Sequence, residues 1–310
     1  MELLYFFESI RTPFLNAIML ALTVLGSETA FLVLALLLFW CVDKTRGYLV
    51  LSVGLVGTVI NLALKLLFRI PRPWILDHDF TIVEGARAGA TGYSFPSGHT
   101  QNSVGTFGSV AATTTRRWVR AVSIALLLLV PLSRMYLGVH TPLDVGVSFA
   151  IALALVAVGV PLMKCFGRHE DKLIYLFISM LALTVVYTLF VELYRFPADL
   201  DAENYMFGRK NAYSLLGATL GMCIAHPLER RYVRYMTQAV WWVQAIKLAG
   251  GLALTIGLKS GLKWLLTLIF GADFLPANAI RYAALILFAA LVWPMTFRPL
   301  CRLAGKGGKS

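Results

Sequence analysis

The stretch Ser133-Arg134-Met135-Tyr136-Leu137-Gly138-Val139-His140-Thr141-Pro142-Leu143-Asp144 joins two long apolar runs, where a plain connecting loop has no need of Arg, His and Asp together. Pro142 suits the first position of a helix, because its missing N–H would be unpaired there anyway. His140 then stands just ahead of that helix, and Asp144 lies in its first turn. A spacing of four lets the carboxylate face back to the imidazole, hold its tautomer and favour its charged form. An oriented His beside an Arg is the equipment of a nucleophile or base acting on an anion. A polar helix cap is the plainer reading of the same residues, and the rest of the chain must separate the two.

The apolar runs set the class. Of 310 residues 58% are hydrophobic and 14% charged, against roughly half and a quarter in soluble domains. Mean hydropathy is +0.74. Several runs reach the roughly 20 residues with which a helix crosses a bilayer. The fold class expected is all-α, a polytopic transmembrane helical bundle. The net charge of +12 comes from Lys and Arg clustered between the apolar runs. That pattern matches the positive-inside rule and anionic headgroups, and nucleic acid is not expected as a partner. Glu2 and Glu8 stand where a secretory leader would carry basic residues, so no cleaved leader is expected. Cys41, Cys165, Cys223 and Cys301 lack metal-ligand spacing and are expected to pack as free thiols.

Residues 1–26 read as amphipathic or half-inserted helices, closed by a break and helix cap at Gly26-Ser27-Glu28. Spans are expected near 29–41, 47–68, 121–137, 142–163, 173–193, 211–226, 249–270 and 279–297, with another running from His99 to Arg116. That last helix is polar inside, with Gln101, Asn102, Ser103, Thr106 and Ser109, which suits packing against other helices rather than lipid. The Gly- and Pro-rich segment 73–98 reads as a loop. Arg230-Arg231-Tyr232-Val233-Arg234-Tyr235, followed by Trp241 and Trp242, suggests a helix lying in the membrane interface. Lys259 and Lys263 inside an apolar run could snorkel, line a polar cavity or mark a misplaced boundary.

Basic clusters at Asp43–Arg46, Arg116–Arg120, Lys164–Lys172, Arg230–Arg234 and the tail Arg298–Lys309 are expected on the cytoplasmic side. Segments 73–98 and 133–141, the acidic loop with Asp199, Asp201 and Glu203, and 271–278 then face the periplasm or exterior. Lys65, Arg69, Arg72 and Arg134 are cations on that outer side against the trend, and an anionic ligand accounts for them.

Three outer elements therefore converge: Lys65 with Arg72-Pro73, Phe95-Pro96-Ser97-Gly98-His99, and the opening stretch. Their chemistry is that of phosphoryl transfer. Lys65, Arg72 and Arg134 can neutralise a phosphate and the charge spread over its oxygens in the transition state. Gly98 allows close backbone approach, and Ser97 offers a hydroxyl at a helix N-terminus, where N–H groups attract anions. His140, oriented by Asp144, can attack phosphorus. His99 can protonate the leaving oxygen and then activate water. The cations take the part magnesium plays elsewhere, so neither metal nor cofactor is expected.

The same residues, in this order and at helix ends, resemble the three signature motifs of the type 2 phosphatidic acid phosphatase superfamily, in its integral membrane branch. The resemblance covers about residues 1–164. It implies a six-helix membrane core over 1–193, with motifs within 65–144, and metal-independent dephosphorylation through a phosphohistidine. It assigns His140 as nucleophile, His99 as acid/base and Asp144 as its orienter, with Lys65, Arg72, Ser97, Gly98 and Arg134 binding phosphate. Vanadium haloperoxidases are related but soluble, which does not suit this chain. About three further spans in 194–310 carry no motif of assigned role, and oligomeric state is not readable.

The activity expected is a membrane lipid phosphate phosphatase acting on phosphomonoester or diphosphate headgroups at the outer membrane face. An undecaprenyl pyrophosphate phosphatase is the alternative, although members with that role often carry Asp where this chain has Gly98. A lipid transporter with buried cations is the other class; it would need no oriented His–Asp pair. Arg69, Arg87, His78 and Tyr136 are expected to anchor or pack, and His169 and His226 to be structural.

Overall fold

A computed structural model describes residues 1–167, 172–197 and 200–303. Arg168, His169, Asp199 and the tail lysines Lys306 and Lys309 lie outside the described residues. The described chain is helical, without strands. It divides into two compact units, one from Met1–Ala35, Leu49–Met163 and Pro197–Tyr205, the other from Leu36–Tyr48, Lys164–Phe196 and Met206–Ser310.

In the first unit, α1 (Glu2–Ser9) and α2 (Pro13–Val24) form a short pair before α3 (Glu28–Leu37). Thr12 caps α2 through Leu15 N–H at 3.2 Å, and Pro13 takes the first helical position. Ser27 Oγ accepts from Ala30 N–H at 3.2 Å, which is the cap expected at Gly26-Ser27-Glu28. The chain bends there by 52°. Next come α4 (Lys44–Phe68), the turn α5 (Pro73–Leu76), α6 (Gly98–Thr113), α7 (Arg117–Tyr136) and α8 (Pro142–Gly167). The segment expected to be a plain loop thus holds α5 and a 3-10 turn, Glu84–Gly89.

The centre of this unit is α6. From Thr100 to Ser109 every residue but Asn102 is buried, despite the polar composition. Hydroxyls turn back to their own helix, Ser109 Oγ to the Gly105 carbonyl at 2.6 Å and Thr113 Oγ1 to Ser109 at 2.7 Å. Small residues let neighbours close in: a Cβ at Gly57 of α4 would lie 2.0 Å from Gln101 Nε2. Buried polar helices of this kind are legible as helices but fail a hydropathy test, and α6 is not among the six helices long and apolar enough to span a bilayer. The bent α2–α3 pair is long and apolar enough only when its two helices are taken together as one broken span.

The second unit holds α9 (Leu173–Leu193), α10 (Ala202–Leu228), α11 (Trp241–Ala245), α12 (Gly251–Phe270), α13 (Ala277–Leu287), α14 (Trp293–Met295) and α15 (Phe297–Leu303), with π-helical joints between several of them. The acidic loop is shorter than expected. Asp201 Oδ1 accepts from Asn204 N–H at 2.8 Å, so α10 begins at Ala202 and Glu203 sits in its first turn. The expected interface helix at 230–235 is instead a π turn over Glu229–Val233, ended by Arg234 in left-handed conformation (φ 45). Glu229 anchors it by pairing with Lys44 at 2.6 Å.

Trp40 is fully buried and donates to the Ala289 carbonyl at 2.8 Å, and Lys247, equally buried, donates to Met236 and Thr237 carbonyls at 3.0 and 3.2 Å. Lys259 and Lys263, by contrast, are exposed on α12. Gly217 of α10 meets the backbone of α13, where an added Cβ would lie 2.1 Å from the Ala279 carbonyl oxygen. Gly217→Val is expected to force these helices apart at a cost of about 1–3 kcal/mol. A lowered melting temperature of the purified chain in detergent is the result to look for; an unchanged one contradicts this packing.

Candidate active site

Helix ends bring the candidate residues together. Lys65 lies in the last turn of α4, Arg72 just before α5, Ser97 caps α6, Arg134 is in the last turn of α7, and Asp144 is in the first turn of α8. Pro142 opens α8, as its ring predisposes. The 73–98 segment is tied down at both sides: Ser94 N–H donates to Ile70 (2.8 Å), Val83 N–H to Leu137 (3.1 Å) and Ser97 N–H to Asp144 (3.2 Å), all to backbone carbonyls.

The connection 137–141 that carries His140 is clamped from the N-terminus. Arg11 donates through Nε to the Tyr136 carbonyl at 3.2 Å and through Nη1 to Thr81 at 2.9 Å. Gly138 turns the chain with φ +79, and a side chain there would strike Phe80 at 2.9 Å. Tyr136, Leu137 and Val139 are buried against Leu15, Met19 and Leu20 of α2.

His140 and Asp144 are 2% and 1% exposed. His140 Nδ1 stands 3.5 Å from Asp144 Oδ2, while Nε2 is 2.9 Å from Arg72 Nη1. A guanidinium has no lone pair to offer, so Nε2 is the acceptor and the ring proton sits on Nδ1, toward the carboxylate. Burial, then the charges of Arg72, Arg134 and Lys65, hold His140 below the ordinary histidine value. The ring is neutral at pH 7, with its Nε2 lone pair turned toward the cations.

Asp144 Oδ2 also accepts from Ser94 Oγ at 2.5 Å and Thr141 N–H at 2.7 Å. Arg72 is fixed by the Gly92, Val139 and Thr91 carbonyls at 3.0, 2.9 and 2.7 Å. Lys65 Nζ donates to the carbonyls of Tyr93 and, at 3.4 Å, Ser94. Arg134 is 1% exposed and donates through Nη1 to Thr23 Oγ1 at 2.6 Å, whereas its Nε and Nη2 have no protein partner. A buried guanidinium with free donors is costly unless an anion meets it. Three cations against one carboxylate leave an excess of two positive charges, equal and opposite to the charge of a phosphate dianion.

Ser97 Oγ accepts from Thr100 N–H and Oγ1 at 3.4 and 3.0 Å, which leaves its own proton to donate. Gly98 faces open space, with nothing within 4 Å of an added Cβ. The His99 ring turns to the 3-10 turn, where a Cβ on Gly89 would lie 3.9 Å from its Cε1 and Nε2. Arg72, Arg134, His140 and Asp144 thus lie buried, and Lys65 half-buried, at neighbouring helix ends, with Ser97 tied to Asp144 through its N–H, while Gly98 and the half-buried His99 stand at the start of α6. Arg87 pairs with Glu84 at the surface and His78 is exposed. Tyr136 packs, its hydroxyl donating to Asn16 at 3.0 Å. Ser94 and Thr23 were not foreseen. Ser94 sits one helical turn's worth of residues before Ser97, and that proximity was the available signal; Thr23 offered none.

Residues 46–168, which contain this site, match the PAP2 superfamily. Residues 213–306 match "PAP2 superfamily phosphatase, transmembrane extension", which places a family relation on spans whose sequence suggested no role. Phosphatidylglycerophosphatase B of Bacillus subtilis (strain 168) is 29% identical over 159 residues, covering 47% of this chain and 74% of that protein. Among solved structures, Aquifex aeolicus LpxE is similar with a TM-score of 0.46 and 26% identity, over 52% of this chain and 93% of that one. The chain belongs to the PAP2 superfamily of phosphatases, as a multi-pass membrane protein carrying the superfamily domain and its transmembrane extension.

Proposed function

We propose that the protein hydrolyses lipid phosphates by a metal-independent, two-step route through a phosphohistidine on His140. The observation that carries this reading is a neutral imidazole whose Nδ1 faces Asp144 and whose Nε2 lies 2.9 Å from Arg72, inside a buried excess of positive charge. In the first step Nε2 attacks phosphorus, the bond from phosphorus to the leaving oxygen breaks, and His99, whose charged form the bound phosphate dianion favours, gives that oxygen its proton. In the second, His99 takes a proton from water, the water oxygen attacks phosphorus, and the P–Nε2 bond breaks to release phosphate. Lys65, Arg72, Arg134 and the Ser97 hydroxyl hold the phosphoryl oxygens throughout, stabilising charge as it spreads in the transition state.

An amphiphile suits a site built at the ends of α4, α6, α7 and α8, since its headgroup can enter while its tail stays in lipid. Phosphatidic acid, phosphatidylglycerol phosphate, sphingoid phosphates and polyprenyl diphosphates fit this description. The similarity to a phosphatidylglycerophosphatase favours a glycerophospholipid monoester. The open space before Gly98 keeps a diphosphate such as undecaprenyl pyrophosphate as the second reading. The site faces the periplasm or exterior, because Lys44, Arg46, Arg117 and Lys164 occupy the opposite ends of α4, α7 and α8. The residues that meet the phosphoryl group lie in the motifs within 65–144.

Purified protein is expected to release phosphate from a panel of lipid mono- and diphosphates, with inhibition by orthovanadate and none by EDTA. His140→Ala abolishes the release; persistence at the wild-type rate refutes the assignment, and loss on chelation refutes the metal-free route. Ser94→Ala removes a charge-assisted hydrogen bond from Asp144, worth about 1.5–3 kcal/mol, so kcat is expected to fall about tenfold or more. A wild-type kcat in that variant would mean that Ser94 has no part in holding Asp144 toward His140.

A further inference from the structure

The bend between α2 and α3 lies outside the residues that match the superfamily, which begin at 46. It nevertheless meets the site at two points. Thr23 Oγ1 accepts from Arg134 Nη1 at 2.6 Å and is the protein partner of an otherwise free buried guanidinium. Three residues on, Gly26 lies against the start of α6: a Cβ there would be 2.8 Å from the His99 carbonyl oxygen and 3.1 Å from His99 Cβ. Asn102 Nδ2 donates to the Gly26 carbonyl at 3.4 Å, on the same face. The bend is itself fixed, with Gly26 N–H donating to Thr23 and Ser27 N–H to Val24, both at 3.0 Å.

A guanidinium has five donors in a rigid plane. Anchoring one terminal nitrogen sets that plane, and with it the directions in which Nε and Nη2 point. The geometry points to Thr23 as a positioning residue that aims Arg134 at the phosphoryl group, with Gly26 as the seat for His99; this rests on the phosphatase reading above. The N-terminal helix pair is therefore a working part of the site. Thr23 holds its cation without neutralising it, because a hydroxyl accepts a hydrogen bond and leaves the charge for the substrate. A carboxylate in its place would compete with phosphate.

The test uses the full chain in detergent and two readouts, orthovanadate binding by titration calorimetry and phosphate release from the lipid panel. Thr23→Val keeps the side-chain shape and removes the oxygen. Loss of a hydrogen bond to a charged group predicts about tenfold weaker orthovanadate binding and a similar fall in kcat/KM. Thr23→Ser returns the oxygen and restores both, which a role in packing alone would not do, since Ser lacks the methyl group. Thr23→Ala against Thr23→Ser makes the same comparison if the Val variant does not fold. Wild-type binding and turnover in Thr23→Val, or equal defects in the Val and Ser variants, overturn the inference. A wild-type chain that neither binds orthovanadate nor releases phosphate overturns the phosphatase reading and this one with it. Normal loss in His140→Ala beside an unaffected Thr23→Val overturns this one alone.

Discussion

The structure of the first unit depends on one electrostatic constraint: Lys65, Arg72 and Arg134 are gathered at helix ends, and the carboxylate of the candidate set, Asp144, is taken up by His140, Ser94 and Thr141. Coulomb repulsion among cations grows as water is excluded, and an effective dielectric of about 20 already makes a close pair worth several kcal/mol. Such an arrangement is held only by groups that accept hydrogen bonds without neutralising charge. Backbone carbonyls supply most of them, from Tyr93 and Ser94 to Lys65 and from Thr91, Gly92 and Val139 to Arg72. The irregular segment 73–98 is thus a scaffold of carbonyl dipoles, which a regular helix could not turn toward the cations.

That constraint explains features scattered along the chain. The 137–141 connection must present His140 without slack, so Arg11 clamps it and Gly138 provides the turn. Ser94 joins the first cationic segment to Asp144, so the carboxylate beside His140 and the Lys65 ammonium share one short stretch of backbone. On the far side, α2 supplies the oxygen that meets Arg134. The α6 helix can carry polar residues through the interior because the hydroxyls of Ser103, Ser109 and Thr113 donate to its own carbonyls, and because glycine on α4 brings the neighbouring backbone near.

The gathering of these side chains was legible in the sequence because Lys65, Arg72 and Arg134 stand at the ends of apolar runs, and because Pro142 and the spacing of His140 and Asp144 fix a helix start. The spans were legible from hydropathy. Thr23 and Ser94 were not, since a lone hydroxyl in an apolar or turn-rich segment reads as a local back-bond, and Thr23 finds Arg134 from 111 residues away. The start of α10 was missed because Asp201 and Glu203 resemble an acidic loop, although an Asp N-cap followed by an acidic first turn is also how helices begin. The basic and aromatic residues at 230–235 suggested an interface helix, but buried Glu229 and its bond to Lys44 hold that segment as a turn. Nothing in the sequence sets Lys247 apart from Lys259 and Lys263, because burial of a lysine depends on carbonyls that only the folded chain brings to it.

In the proposed mechanism His140 bears the phosphoryl group during turnover. Mixing the purified protein with a lipid phosphate labelled in its phosphoryl group, quenching in alkali during turnover and mapping the label by peptide mass spectrometry tests it most directly. An acid-labile, alkali-stable label is expected on His140 and is absent from His140→Ala. A chain that turns over substrate with no label on His140, or with the label on another residue, would contradict it.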